Sequence, residues 1–326
     1  MKQQPKNKIH PINRKRRLSV TRLVFVVVLF IALFGAMILA VIYSYRHVDN
    51  LLHNCERDSN LNAPAINDKY RIIPYRNILV VGLDKTTNKS NADYLAVLSV
   101  APRGGYPAVV LQIPVKAMLL YGNYKYKISL QQLFANGGPL GVANALISHY
   151  DIPITDYAVF DYSAVARIVD AAGGIDVFVE GSYDYDDKLT ATSIHIKPGF
   201  QHFDGKSAVD YARFCKDELG EDGRNKRQTR ITRELWGNVF SIKMLLKLFE
   251  LRQIIENDIS TDMPLAQLAT TFYALMKSDA KTAVTLTVPG QYSMDKNNNV
   301  FAIDESKFRA FVNSTYYEIK PEGKKQ

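Results

Sequence analysis

Asn77-Ile78-Leu79-Val80-Val81-Gly82-Leu83-Asp84 is a near-continuous apolar run that stops at a carboxylate. Apolar on consecutive positions, it predicts a strand buried on both faces rather than a half-exposed one. Leu95–Val100 and Ala108–Ile113 are two more such runs, separated by a turn at Pro102–Gly105, and the three together predict a sheet core. Further along, Ser129–Ala135 reads as a helix closed by Gly137-Gly138, and Pro139 starts another that runs to about Tyr150. Asp156–Phe160 reads as a strand, Ser163–Ala172 as a helix closed by Gly173-Gly174, and Ile175–Val179 as a strand. Alternating strands and helices predict an α/β layered domain.

The acidic tract Gly181–Leu189 reads as a surface loop, since it lacks the spacing of a calcium-binding loop. Asp204-Gly205 makes a turn before a short helix over 206–211. Residues 223–256 read as mostly helical and 264–276 as a further helix. Ala283–Val288 and Val300–Ala302 read as strands, and Asp304–Val312 as a closing helix.

With 326 residues, 47% of them hydrophobic, the chain can bury a substantial core. Its net charge of +9 would suit nucleic acid, anionic lipid or an anionic substrate. Much of the surplus lies before residue 23, where no acid offsets the lysines and arginines. Leu23–Tyr43 then carries no charge and is long enough, at about 20 residues, to cross the hydrocarbon as a helix. A cleaved signal peptide is the competing reading, but this run exceeds the usual apolar segment of roughly 7–15 residues. Positive charge ahead of the span keeps the N-terminus in the cytoplasm and the main domain outside. The expected organisation is a basic cytoplasmic tail over 1–22, a transmembrane helix over 23–45, a stalk over 46–75, one α/β domain over 76–315 and a tail over 316–326. Nucleic acid is not an expected partner, because topology explains the basic arm. Cys55 and Cys215 have no spacing that makes a metal motif.

Tyr211-Ala212-Arg213-Phe214 and, after a polar break, Glu221-Asp222-Gly223-Arg224-Asn225-Lys226-Arg227-Gln228 are too polar for a core element. With a helix starting near Asp222, Arg224, Arg227 and Gln228 share one face. Asp222 as N-cap and Gly223 as a relaxed turn would leave backbone amides beside those guanidiniums, a place for a phosphate. A solvated basic face is the alternative reading. Asp84 and Asp93 flank a polar connection and would together hold a hard divalent cation completed by water and phosphate; ordinary turn residues are the alternative there.

The ordered set of motifs resembles the LytR-CpsA-Psr family, membrane-anchored enzymes that attach anionic glycopolymers to the bacterial cell wall. The resemblance is carried by the Asn77–Asp84 run, Ala92-Asp93, Gln112-Ile113-Pro114, Lys127-Ile128-Ser129 with Asn136-Gly137-Gly138, Val169–Val177, Tyr211–Phe214 and Gly223-Arg224 with Arg227-Gln228. It implies a three-layer α/β/α domain with a mixed central sheet. It also implies a polyprenyl-pyrophosphate-linked glycopolymer and peptidoglycan as partners, and Mg2+ or Mn2+ as cofactor. By resemblance Asp84 and Asp93 take the metal or base role, and Arg227 shares in catalysis. Lys127, Arg213, Arg224, Arg227 and Gln228 would bind the pyrophosphate. The chain departs from the pattern where Val115-Lys116 stand for the family's Arg-Asp and Cys215 for a second arginine. Those departures keep open a non-catalytic or regulatory member that binds polyprenyl phosphate or glycopolymer.

Overall fold

The computed structural model describes residues 70–85, 91–102, 106–120, 127–187, 192–239, 247–278, 283–295 and 298–319, all within the compact unit Cys55–Gln326. The expected cytoplasmic tail and transmembrane helix, and the stalk as far as residue 69, lie outside the described residues. Among the described residues no helix is long and apolar enough to cross a membrane.

In chain order the first strands are β1 (Tyr70–Ile72), β2 (Arg76–Asp84), β3 (Asn91–Val100), β4 (Val109–Gln112), β5 (Met118–Leu120) and β6 (Lys127–Ser129). Helix α1 (Leu130–Tyr150), β7 (Asp156–Asp161), α2 (Tyr162–Ala172) and β8 (Ile175–Val179) follow. Then come β9 (Tyr183–Asp187), β10 (Thr192–Ile196), β11 (Gly199–Phe203), α3 (Gly205–Arg213), α4 (Gly220–Val239), α5 (Leu248–Asp258) and β12 (Ile259–Thr261). The described chain closes with α6 (Leu265–Lys277), β13 (Val284–Thr287), β14 (Gly290–Asp295), β15 (Asn298–Ile303), α7 (Glu305–Tyr316) and β16 (Tyr317–Ile319).

The central sheet has the order β12-β7-β2-β3-β4-β13. It is mixed, because β2 runs parallel to β7 and β4 to β13 while the other neighbours are antiparallel. Alternate residues of β3 and β4 serve two cores, and β2 adds to the first. Leu79, Val81, Leu95, Val97 and Leu111 pack with α1 and α7 on one face, and Ala96, Leu98 and Val110 pack with Trp236 of α4 and Ala274 and Leu275 of α6 on the other. The runs that lack alternation in hydrophobicity are therefore those with helices on both sides.

Local signals set the helix ends. Ser129 caps α1 and forms a reciprocal capping box with Gln132, and Gly138, at φ 59°, breaks the helix ahead of Pro139. Asp161 caps α2 through the amide of Ala164, and Gly173 closes it at φ 88°.

Three expectations change. The tract read as a loop over 181–189 contributes strand β9, paired antiparallel with β10. Tyr183, Ile194 and Ile196 bury one face of that hairpin against α3 and α4, a packing that the acids on the other face conceal in the sequence. Second, α4 begins at Gly220, two residues before Asp222, so Asp222 stands inside the first turn rather than at the cap. The side chain of Asp217 accepts from the Gly220 amide at 2.9 Å instead. Third, Tyr317–Ile319, expected in the tail, pairs with β1 in the expected stalk.

Candidate functional site

The site grows from the end of the sheet where β2 and β7 stop and β3 begins. Pairing of β2 with β3 shifts register at Gly82/Leu83: Gly82 faces Tyr94 and Leu83 faces Ala92, so Asp93 is the extra residue of a bulge. Ala92 and Leu95 consequently lie in the same core, although strict alternation would put them on opposite faces. A Cβ on Gly82 would stand 2.9 Å from that of Tyr94, which explains glycine opposite the bulge. The bulge turns Asp93 out of the pleat toward α2 and α4.

There Asp93 is claimed from two sides. Arg224 of α4 pairs with its Oδ1, and the Tyr162 hydroxyl, at the first position of α2, donates to its Oδ2. Arg224 also pairs with Glu221 one turn back. Burial disfavours the Arg224 charge, but Asp93 and Glu221 outweigh it and raise its pKa. Its Nε is buried without a hydrogen-bond partner among the described residues. Asp84, at the end of β2, faces Arg213 of α3 at 3.5 Å. The Arg213 guanidinium lies 5.1 Å from the centroid of the Tyr162 ring. Asp84, Asp93, Arg213 and Arg224 thus gather around Tyr162. Burial, then Asp93, raise the Tyr162 hydroxyl well above the ordinary tyrosine range, with a smaller contribution from Asp84. It therefore stays a donor at neutral pH.

Of the other expected residues, Arg227 and Lys127 stand apart from this cluster, while Gln228 braces the backbone of Asp93. Arg227 shares the buried side of α4 but is 1% exposed, stacked 4.9 Å from the Tyr183 ring and 5.3 Å from the Phe214 ring. Its guanidinium pairs with Asp217 at 2.6 Å and donates to the Phe214 carbonyl. Gln228 gives both ends of its amide to the protein: Nε2 donates to the Asp93 carbonyl at 3.2 Å and Oε1 accepts from Gln112 at 3.3 Å. Lys127 is exposed and lines a cavity of ≈ 330 Å³ with Ile128, Gln132, Ala135 and Asn136. That region meets the site through Gln131, whose side chain donates to the Ala92 carbonyl at 2.9 Å.

Val115, where the family pattern has arginine, is buried in the hydrophobic core. Cys215 is a free, partly exposed thiol beside Arg224. Sequence reasoning missed Tyr162 and Asp217. The signal for Tyr162 was its place directly after the strand-ending Asp161, at the same sheet end as Asp84.

Two carboxylates suit a hard cation that takes its remaining ligands from water and phosphate. Among the described residues no third histidine, cysteine or acid gathers into a closed metal cage. Asp84 and Asp93 are the residues that would hold such a cation, once a ligand had drawn Arg213 and Arg224 away from them.

The LytR_cpsA_psr family profile matches residues 40–316. The chain is 26% identical over 218 residues to the polyisoprenyl-teichoic acid–peptidoglycan teichoic acid transferase TagV of Bacillus subtilis, a match covering 64% of this chain and 54% of that protein. The chain thus spans about half the length of that relative. It is 25% identical over 253 residues to the regulatory protein MsrR of Staphylococcus aureus, covering 74% of this chain and 72% of that one. The crystal structure of B. subtilis TagV shares the fold, with TM-score 0.61 and 23% identity over 76% of this chain and 98% of that one. A profile match over most of the chain and the same mixed α/β architecture lead to one assignment: the chain belongs to the LytR_cpsA_psr family.

Proposed function

We propose that this protein is a membrane-anchored phosphotransferase. It moves an anionic glycopolymer or sugar phosphate from a polyprenyl-pyrophosphate carrier to peptidoglycan, held by the 23–45 span with its main domain outside the cell membrane. The observation that carries this reading is the clustering of Asp84 and Asp93 with Arg213 and Arg224 at one sheet end, in a chain similar to a named teichoic acid transferase.

In this reading Arg213 and Arg224 exchange their carboxylate partners for non-bridging oxygens of the pyrophosphate, where a planar guanidinium binds in two-pronged fashion. Lys127 would add a further positive charge for the bound anion. Gln112 and Gln228 keep the Asp93 bulge in place, and Arg227 holds the 214–217 turn that follows Arg213. An acceptor hydroxyl forms the new P–O bond to the sugar-linked phosphorus and gives its proton to Asp84, the more exposed of the two carboxylates. The bond from that phosphorus to the bridging oxygen breaks, and polyprenyl phosphate leaves with the electron pair. Mg2+ or Mn2+ on Asp84 and Asp93 would supply neutralisation of the phosphoryl charge.

Burial of Val115 in the core, in place of a guanidinium, favours a second reading: a regulatory member that binds the lipid-linked polymer without turning it over. Purified full-length protein in detergent, with Mg2+, lipid-pyrophosphoryl glycopolymer and peptidoglycan, separates the two. Transfer is expected, and Asp84→Ala and Arg224→Ala should each reduce it by about 100-fold or more. Tight donor binding with no product at any enzyme concentration would establish the second reading instead.

A further inference from the structure

Tyr162 touches both halves of the site. Its hydroxyl donates to Asp93 Oδ2 while Arg224 holds Oδ1, so the carboxylate is fixed at both oxygens. Its ring carries Arg213, whose Nη2 reaches Asp84. The side chain itself is placed firmly, because Asp161 ends β7 and caps α2 immediately before it. If Arg224 swings to a phosphate, the hydroxyl of Tyr162 is the donor that still holds Asp93. A phenylalanine would fill the same space and seat Arg213 equally well, so packing alone does not account for the hydroxyl.

We propose that Tyr162 is a positioning residue: its hydroxyl orients Asp93 and its ring seats Arg213, which keeps the carboxylate pair and the guanidinium pair in one register as a phosphoryl group binds. This role rests on the phosphotransferase reading. It concerns residues of this chain that contact one another, and Tyr162 need not touch substrate.

The test uses full-length protein in detergent, with inorganic pyrophosphate and Mg2+ as the probe in calorimetry, alongside transfer kinetics and thermal melting. Tyr162→Phe is expected to weaken pyrophosphate binding and lower kcat by about tenfold each, the scale of a lost hydrogen bond to a charged group. KM for the acceptor should stay at the wild-type value, while the melting temperature should fall slightly, because the hydrogen bond to Asp93 is lost in the free protein as well. Tyr162→Leu, which also removes the seat of Arg213, should weaken binding further. A purely structural tyrosine would lower the melting temperature and yet leave kcat and pyrophosphate affinity of the phenylalanine variant intact. Wild-type affinity in Tyr162→Phe overturns the proposal. Wild-type protein that binds pyrophosphate but transfers nothing removes the transferase reading, and the affinity of Tyr162→Phe then decides the Tyr162 role by itself. Wild-type protein that does not bind pyrophosphate overturns both.

Discussion

Arg224 and Asp93 join the first turns of α4 to the bulge of β3 through a nearly buried ion pair. Removing one partner strands the other charge, so Asp93→Ala or Arg224→Ala should each destabilise the domain by about 3 kcal/mol. Because the residues act on each other, the double variant should cost less than the sum of the singles, by about 1 kcal/mol or more. Urea denaturation of all four proteins measures this. Strict additivity would mean that the pair is not energetically coupled.

Arg227 and Asp217 form the companion pair, shut between Tyr183 and Phe214. Arg227→Ala should lower stability by about 3 kcal/mol, and Arg227→Lys should recover little of it, because an ammonium cannot fill a stacked, forked site. Thermal melting reads the loss. Full recovery by lysine would show that only the charge matters there.

Gly223 is a matter of space. A Cβ at this position would lie 2.9 Å from the Leu219 Cβ and 3.0 Å from the Asp217 carboxylate. Helix propensity alone predicts that Gly223→Ala gains up to about 1 kcal/mol. The contact predicts the opposite, a loss of about 1–3 kcal/mol from overpacking. The sign of the shift in urea midpoint therefore decides between propensity and packing.

Asp161 makes stability depend on pH. Burial alone would raise its carboxyl, but the Lys85 ammonium at 2.7 Å, the Ser163 hydroxyl and the Ala164 amide outweigh it and hold the pKa down to about 2. A carboxylate depressed in the folded state stabilises above its ordinary pKa, and that contribution is lost as pH falls through the folded value. Stability should therefore decline between about pH 4 and about pH 2. Asp161→Asn, an equally good helix cap, should flatten the slope in that window. An unchanged slope in chemical denaturation across the same range would remove Asp161 as its source.

The core strands and their helices were legible because their signals are local, whereas the mixed order of the sheet was implied only by the family resemblance. Near-continuous apolar runs at 77–83 and 95–100 need cover on both faces, and Ser129, Gly138 and Gly173 mark helix ends through their own backbone chemistry. Helical spacing also put Arg224, Arg227 and Gln228 on one side of α4. It could not say what stands opposite that side. Only the tertiary structure decided that Arg224 meets Asp93 while Arg227 meets Asp217, and that Gln228 spans Asp93 and Gln112. The β9–β10 hairpin stayed hidden because its buried residues alternate with acids, and Tyr162 because its partner lies across the sheet at a bulge. Periodicity determines which side chains share a face, whereas strand register and helix docking determine which charges meet.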